Sequence, residues 1–265
     1  MANSSWNKFV EAKDRFRRVT EDLSASLPGL KNIQQKFADS RGNCGRIGSC
    51  ESCTNKTCNR SGNNSVYKVE TPVVYNTALD DITVNDEIKL ILVADNPGRR
   101  EQAAENRRYL VGPSGKIAAK FFRDNPSLEI DFDKNVIILN KTPIHSPRTI
   151  ELRELCRLMP ALAPALEKSQ KVMAELLLEF HKSLGAPIWI TGYSEMKKGG
   201  LFETYTETVK NLFAANEKTY KQLFVFRHFS MNQFTIDLKQ QALPGESVSE
   251  SLLRIGLAYR ERVLG

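Results

Sequence analysis

The chain has 265 residues, 41% of them apolar and 26% charged, with a formal net charge of +7. That size allows one α/β domain with an ample core plus an appendage, and the composition is that of an ordinary globular protein. No apolar run reaches the length of a membrane span, and residues 1–18 lack the apolar stretch of a secretory signal. The expectation is a cytoplasmic protein, a monomer with no membrane partner, whose basic excess leans towards a polyanion.

Residues 7–27 carry Phe9, Phe16, Val19 and Leu23 at helical spacing and predict an amphipathic helix, followed by a second over 30–39. Residues 41–65 hold four of the five cysteines and a single aliphatic side chain, Ile47. A stretch with no core of its own needs either disorder or a staple. Residues 1–65 are therefore expected as an appendage, and residues 66–265 as the main domain. Within the latter, 66–79 predicts one or two extended pieces leading into a sheet.

Four short, continuous apolar runs follow, at 90–94, 136–139, 188–191 and 223–226. Each has the pattern of a parallel strand covered on both faces. Helical stretches at 115–122, 150–158 and 165–184 lie between them, and 193–218 reads as a surface excursion with helical parts. Pro244-Gly245-Glu246 breaks the chain before a last amphipathic helix through Leu252, Ile255, Leu257 and Val263. Alternating strands and helices predict a three-layer α/β/α sandwich around a central, mainly parallel four-stranded sheet.

Every strand then delivers a polar tip to one rim, where open α/β sheets bind ligands. The tips read Asp95-Asn96-Pro97-Gly98-Arg99, Asn140-Lys141-Thr142-Pro143-Ile144-His145-Ser146-Pro147, Gly192-Tyr193-Ser194 and Arg227-His228-Phe229-Ser230-Met231-Asn232. Arg99, Lys141, Arg148 and Arg227 add positive charge. The same residues have plainer uses: Asn96 and Asn140 as caps of turns and loops, His228 as a surface histidine, Tyr109 as a core aromatic. His181 and Cys156 sit in helical patterns and read as structural.

Cys44, Cys50, Cys53 and Cys58 are spaced C-x5-C-x2-C-x4-C. In a reducing compartment, disulfides would not persist, so a metal is the better explanation. Four thiolates hold either a [4Fe–4S] cluster or Zn2+, and the unmetallated alternative would leave four thiols open to oxidation. The run resembles the iron–sulfur loop of the adenine-mismatch and oxidised-pyrimidine glycosylases, whose outer gaps are each one residue longer.

The rim motifs resemble the uracil-DNA glycosylase superfamily over residues 85–235. Ala94-Asp95-Asn96-Pro97-Gly98 stands for its Gly-x-x-Pro-Gly motif, with Asn in the third place as in the mismatch-specific and single-strand-selective branches. Residues 108–116 look like the Arg-Pro-Phe-Val-Gly-x-x-Gly segment of the iron–sulfur branch. Asn140 matches the Asn closing the second strand, and His228-Phe229-Ser230 takes the place of His-Pro-Ser. This chain departs from the pattern in Ala94 for Gly, Leu110 for the stacking aromatic, Phe229 for Pro, and cysteines drawn from one local loop.

The resemblance implies a monofunctional glycosylase of base excision repair that removes uracil from single- or double-stranded DNA by hydrolysis. Asn96 would orient the water and His228 would donate to the uracil O2. Asp95, Asn140, Tyr109 and Leu110 would surround the base, with Asn140 reading its edge and Tyr109 walling out a methyl group. Arg99, Lys141, His145, Arg148, Arg227, Ser230 and Met231 would meet DNA, Met231 as an apolar wedge with Phe229 and Phe234 as the other apolar groups of that loop. His145 also resembles a histidine that cross-links to uracil DNA in one branch; a phosphate or loop contact is its other role. Two alternatives stay open: a glycosylase for hypoxanthine or xanthine, and a non-catalytic, metal-stapled nucleic-acid-binding protein of the same fold.

Overall fold

Each of the four apolar runs forms a strand, and the alternation within it divides the helices between two faces. The computed structural model describes residues 3–42 and 67–265. Strands β1 (Leu90–Ala94), β2 (Val136–Asn140), β3 (Ile188–Thr191) and β4 (Leu223–Phe226) form one sheet in the order β2-β1-β3-β4. Every pairing is parallel. The three-layer α/β sandwich expected from the alternation is therefore present, with a wholly parallel sheet.

The helices are α1 (Asn3–Ser26), α2 (Leu30–Gly42), α3 (Pro113–Asp124), α4 (Phe132–Asn135) and α5 (Glu151–Leu158). They continue with α6 (Leu162–Leu184), α7 (Glu203–Ala214), α8 (Glu217–Tyr220), α9 (Gln233–Gln241) and α10 (Val248–Leu264). Among the described residues, no helix is long and apolar enough to cross a membrane.

Ile91, Val93, Ile137, Leu139, Ile190 and Val225 point to the face covered by α1, α6 and α7. The alternate positions, Leu90, Leu92, Ala94, Trp189 and Phe226, meet α3, α9 and α10. This is the period-two division of a strand buried on both sides. Phe9 and Phe16 of α1 are fully buried in the same core as Ile91 and Val93, each burial stabilising by about 2–3 kcal/mol. Arg15 reinforces the contact through ion pairs with Glu175 and Glu179 of α6. Helix α1, expected within an appendage, is thus a constituent of the main core. Further along the same side, Leu23, Leu27 and Leu30 pack with Ile144, Leu152 and Leu155, tying the N-terminal helices to the loop after β2.

Residues 193–218 are not a surface excursion. Phe202, Tyr205, Val209 and Phe213 are fully buried, and α7 packs on α6. Their spacing of three and four residues makes an apolar stripe, which the intervening Glu, Thr and Lys residues dilute in composition but not in geometry. Cys156, half-buried against the core around α5, is a free thiol.

Candidate active site

The chain leaves β1, adds β2 on one side, then returns to add β3 on the other. The sheet therefore has its switch point between the carboxyl ends of β1 and β3, where the outgoing loops diverge and leave a crevice. A cleft of about 590 Å3 opens beside this point, within the size range of small-molecule sites. Asp95 and Asn96 after β1, Thr149 before α5, and His228 after β4 reach it from three different loops.

Asp95 is the anchored carboxylate of the cleft. Its Oδ1 accepts a 2.6 Å charged hydrogen bond from Lys141 Nζ, and its side chain is 17% exposed. Thr149 Oγ1 lies 3.3 Å from Asp95 Oδ2 and 3.0 Å from Asn96 Oδ1, so its single proton serves one oxygen at a time. The Asn96 amide is held in turn, its Nδ2 donating to Ser146 Oγ at 2.9 Å and Ser146 O at 3.1 Å. Lys141, expected to meet DNA, is 0% exposed and cannot do so. The strand delivers it inward because Asn140 and Lys141 continue the alternation of β2.

His228 presents a donor. Its Nδ1 accepts the Ser230 backbone N–H at 2.9 Å, which leaves the proton of a neutral ring on Nε2. Burial lowers the imidazole pKa; the Asp95 carboxylate opposes that shift and the Lys141 ammonium adds to it. The ring is therefore held neutral near physiological pH, as a hydrogen-bond donor rather than a cation.

Glu101 was not among the residues expected in the site. It lines the cleft yet is buried, and desolvation pushes its carboxyl up to about 7 against the pull of the Gly98 and Leu110 backbone N–H groups. The Gly98 N–H donates to Oε2 at 2.7 Å. This carboxylate joins the turn after β1 to Leu110, whose φ of 53° is strained for a branched residue. Gly115 permits that conformation, since a Cβ there would fall 1.3 Å from the Leu110 carbonyl oxygen.

Of the base-surrounding set, Asp95 and Leu110 line the cleft. Tyr109 does not: it is 2% exposed, donates its hydroxyl to Val74 O at 2.6 Å and packs near Phe16. Asn140 pairs in register with Ala94, a cleft-lining residue, so both point to the same sheet face. It is buried, and its Nδ2 has no hydrogen-bond partner among the described residues.

Around the mouth, Arg99, Arg148, Ser230 and Met231 share the cleft with Arg100. Arg99 stacks over the Tyr67 ring at 4.7 Å, and Arg148 is steadied by Glu151 at 2.8 Å. Arg227 lies outside the cleft lining, half-exposed and paired with Asp237 at 3.0 Å. Met231 is 84% exposed with a left-handed φ of 52°, whereas Phe229 and Phe234 are buried and stacked on each other. His145 is also buried. Its Nδ1 donates to Pro97 O at 2.8 Å, Tyr67 covers its Nε2, and burial lowers its pKa to about 4. Placed there, His145 braces the turn after β1 and meets neither phosphate nor sugar. Cys44, Cys50, Cys53 and Cys58 lie outside the described residues.

No protein-family model, no curated protein and no solved structure matches this chain. Sequence reasoning passed over Glu101 and Thr149. Glu101 had a signal: an acid three residues after a turn glycine has capping-box spacing. Thr149 had none, because its partners, Asp95 and Asn96, come from another loop.

Proposed function

We propose that the protein is a monofunctional DNA glycosylase that hydrolyses the N-glycosidic bond of uracil. One observation carries this reading: an anchored carboxylate, Asp95, and a neutral imidazole donor, His228, share one cleft at the sheet's switch point. Hydrolysis of that bond develops negative charge on the departing base and positive charge on the sugar. The His228 Nε2–H would stabilise the first, a contribution of about 3 kcal/mol for a preorganised donor. The Asp95 carboxylate would stabilise the second and, with the Asn96 amide oxygen, orient the attacking water. The target nucleotide must first leave the stack. Arg99, Arg100 and Arg148 at the mouth would neutralise flanking phosphates. The exposed, strained Met231 is the wedge this reading assigns to the vacated stack, now that Phe229 and Phe234 are committed to the core.

A second reading is favoured by Tyr109. With that ring turned into the core, it supplies no wall against a larger base, which suits hypoxanthine or xanthine as the substrate. Oligonucleotides carrying uracil, hypoxanthine or xanthine, single- and double-stranded, decide between the two: alkali-labile sites after incubation identify the excised base. No cleavage on any of them refutes both. Borohydride trapping of an enzyme–DNA adduct through an amine would contradict the monofunctional assignment.

The four thiols at 44, 50, 53 and 58 form a donor set that suits a [4Fe–4S] cluster or Zn2+. A bound group would staple a segment otherwise poor in apolar side chains. Anaerobic purification should give a brown protein with a visible charge-transfer band for the cluster, or a colourless one with one zinc. A metal-free folded protein excludes both.

A further inference from the structure

We infer that Lys141 is a positioning residue, whose buried ammonium holds Asp95 in the orientation that turns one carboxylate oxygen inward and the other to the cleft. The inference rests on the glycosylase reading for the use made of Asp95.

The ammonium has three protons and three acceptors around it. One goes to Asp95 Oδ1 at 2.6 Å and one to the Thr191 carbonyl at 2.6 Å, while the Phe202 ring lies 5.1 Å away as a π face. The Lys141 backbone N–H reaches the Ala94 and Asp95 carbonyls at 3.0 and 3.1 Å. The carboxyl ends of β1, β2 and β3 are thereby pinned to one another through a single residue. Gly192 completes the socket: its φ is 82°, and a Cβ there would come within 2.5 Å of Asp95 Oδ1. The socket admits the carboxylate only because this position has no side chain.

Stability alone does not account for such a pair. A buried ion pair is commonly no more stabilising than apolar residues of the same volume, since desolvation of both charges offsets their attraction. What it secures is direction. With Oδ1 fixed inward, Oδ2 is left with Thr149 and the cleft. In hydrolysis, that oxygen accepts a proton from water as the water oxygen bonds to the sugar C1′ and the C1′–N bond breaks, its electron pair leaving with the base. Lys141 keeps its three protons throughout.

The test compares wild type with Lys141→Met, Asp95→Asn, the double variant and Gly192→Ala. Three quantities are read: single-turnover uracil excision from a single-stranded oligonucleotide, DNA affinity by fluorescence anisotropy, and the melting temperature. Lys141→Met should slow excision by about 100-fold, the effect of a misplaced reacting group, with affinity changed less than about threefold. The double variant should be no slower than Asp95→Asn, because Lys141 acts only through Asp95. Gly192→Ala should also slow excision, although both charges remain. Losses that multiply in the double variant, or a fully active Gly192→Ala, overturn the inference. Melting supplies a readout independent of activity. Asp95→Asn strands a buried ammonium and should lower Tm by on the order of 10 °C, and adding Lys141→Met should recover most of it. Additive melting losses refute the anchor itself. A wild type that excises no base, with the melting cycle as expected, refutes the glycosylase reading and leaves the anchor standing.

Discussion

Glu101 carries a prediction whose sign and size follow from its burial. In the unfolded chain its carboxyl titrates near 4.5, and in the folded protein near 7, because desolvation outweighs two backbone hydrogen bonds. Between these values the folded state binds the proton and the unfolded state does not, so stability falls as pH rises. A separation of about 2.5 pH units at 1.36 kcal/mol each amounts to about 3 kcal/mol, lost across pH 4.5 to 7 and level above. His145 works the other way: its pKa is lowered from 6.5 to about 4, so its contribution to stability grows as pH rises through that range. The raw pH profile therefore mixes opposite slopes, and only a difference isolates Glu101. Glu101→Gln keeps the shape and removes the titration. Urea unfolding of both proteins at intervals from pH 4.5 to 8.5 should show the variant gaining on wild type by about 3 kcal/mol over that span. The hydrogen bond lost with the substitution adds only a constant offset of about 1–3 kcal/mol. Parallel stability curves for the two proteins would refute the argument that this carboxylate is held charged at a cost.

Three further outcomes test the cleft directly, and a fourth tests the backbone beside it. His228→Ala should lower single-turnover excision by about 100- to 1000-fold with DNA affinity little changed, measured by rapid quench and anisotropy. Asn140→Ala should cost about 1–3 kcal/mol in the excision barrier and relax discrimination between bases, read from rates on uracil and thymine oligonucleotides. Met231→Ala should weaken excision from duplex DNA far more than from single strands, where no stack has to be filled; equal losses on both would mean that the side chain supports its loop from within. Met231→Gly should relieve the left-handed backbone and raise stability by about 1 kcal/mol in thermal unfolding, relative to the alanine variant.

The strands and most helices were legible in the linear order of residues. A run such as Leu90–Ala94, apolar at every position and ended by Asp-Asn-Pro-Gly, has no other economical reading than a doubly covered strand, and four such runs separated by helices leave few architectures open. The burial of helix α7 escaped, although helical parts were expected there, because its apolar positions are sparse, and composition hides a stripe that geometry gathers. The rim location of Asp95, Asn96 and His228 was also legible, since parallel strands send all their carboxyl ends the same way.

Which side chains face the cleft was a different question. Lys141 and His145 follow the same strand and read alike as polar rim residues, yet both are buried, one under Asp95 and the other under Pro97. Tyr109 and Leu110 are neighbours, and only the second lines the cleft. Sequence alone determined the layers, the order of secondary elements and the edge of the sheet where the polar strand tips collect, because those depend on periodicities of two and 3.6 within one segment. Tertiary structure alone decided the roles at that edge. Whether an amine reaches DNA or a carboxylate depends on what the returning loops place against it: Thr191 lies 50 residues from Lys141, and Thr149 and Gly192 lie 54 and 97 residues from Asp95 along the chain.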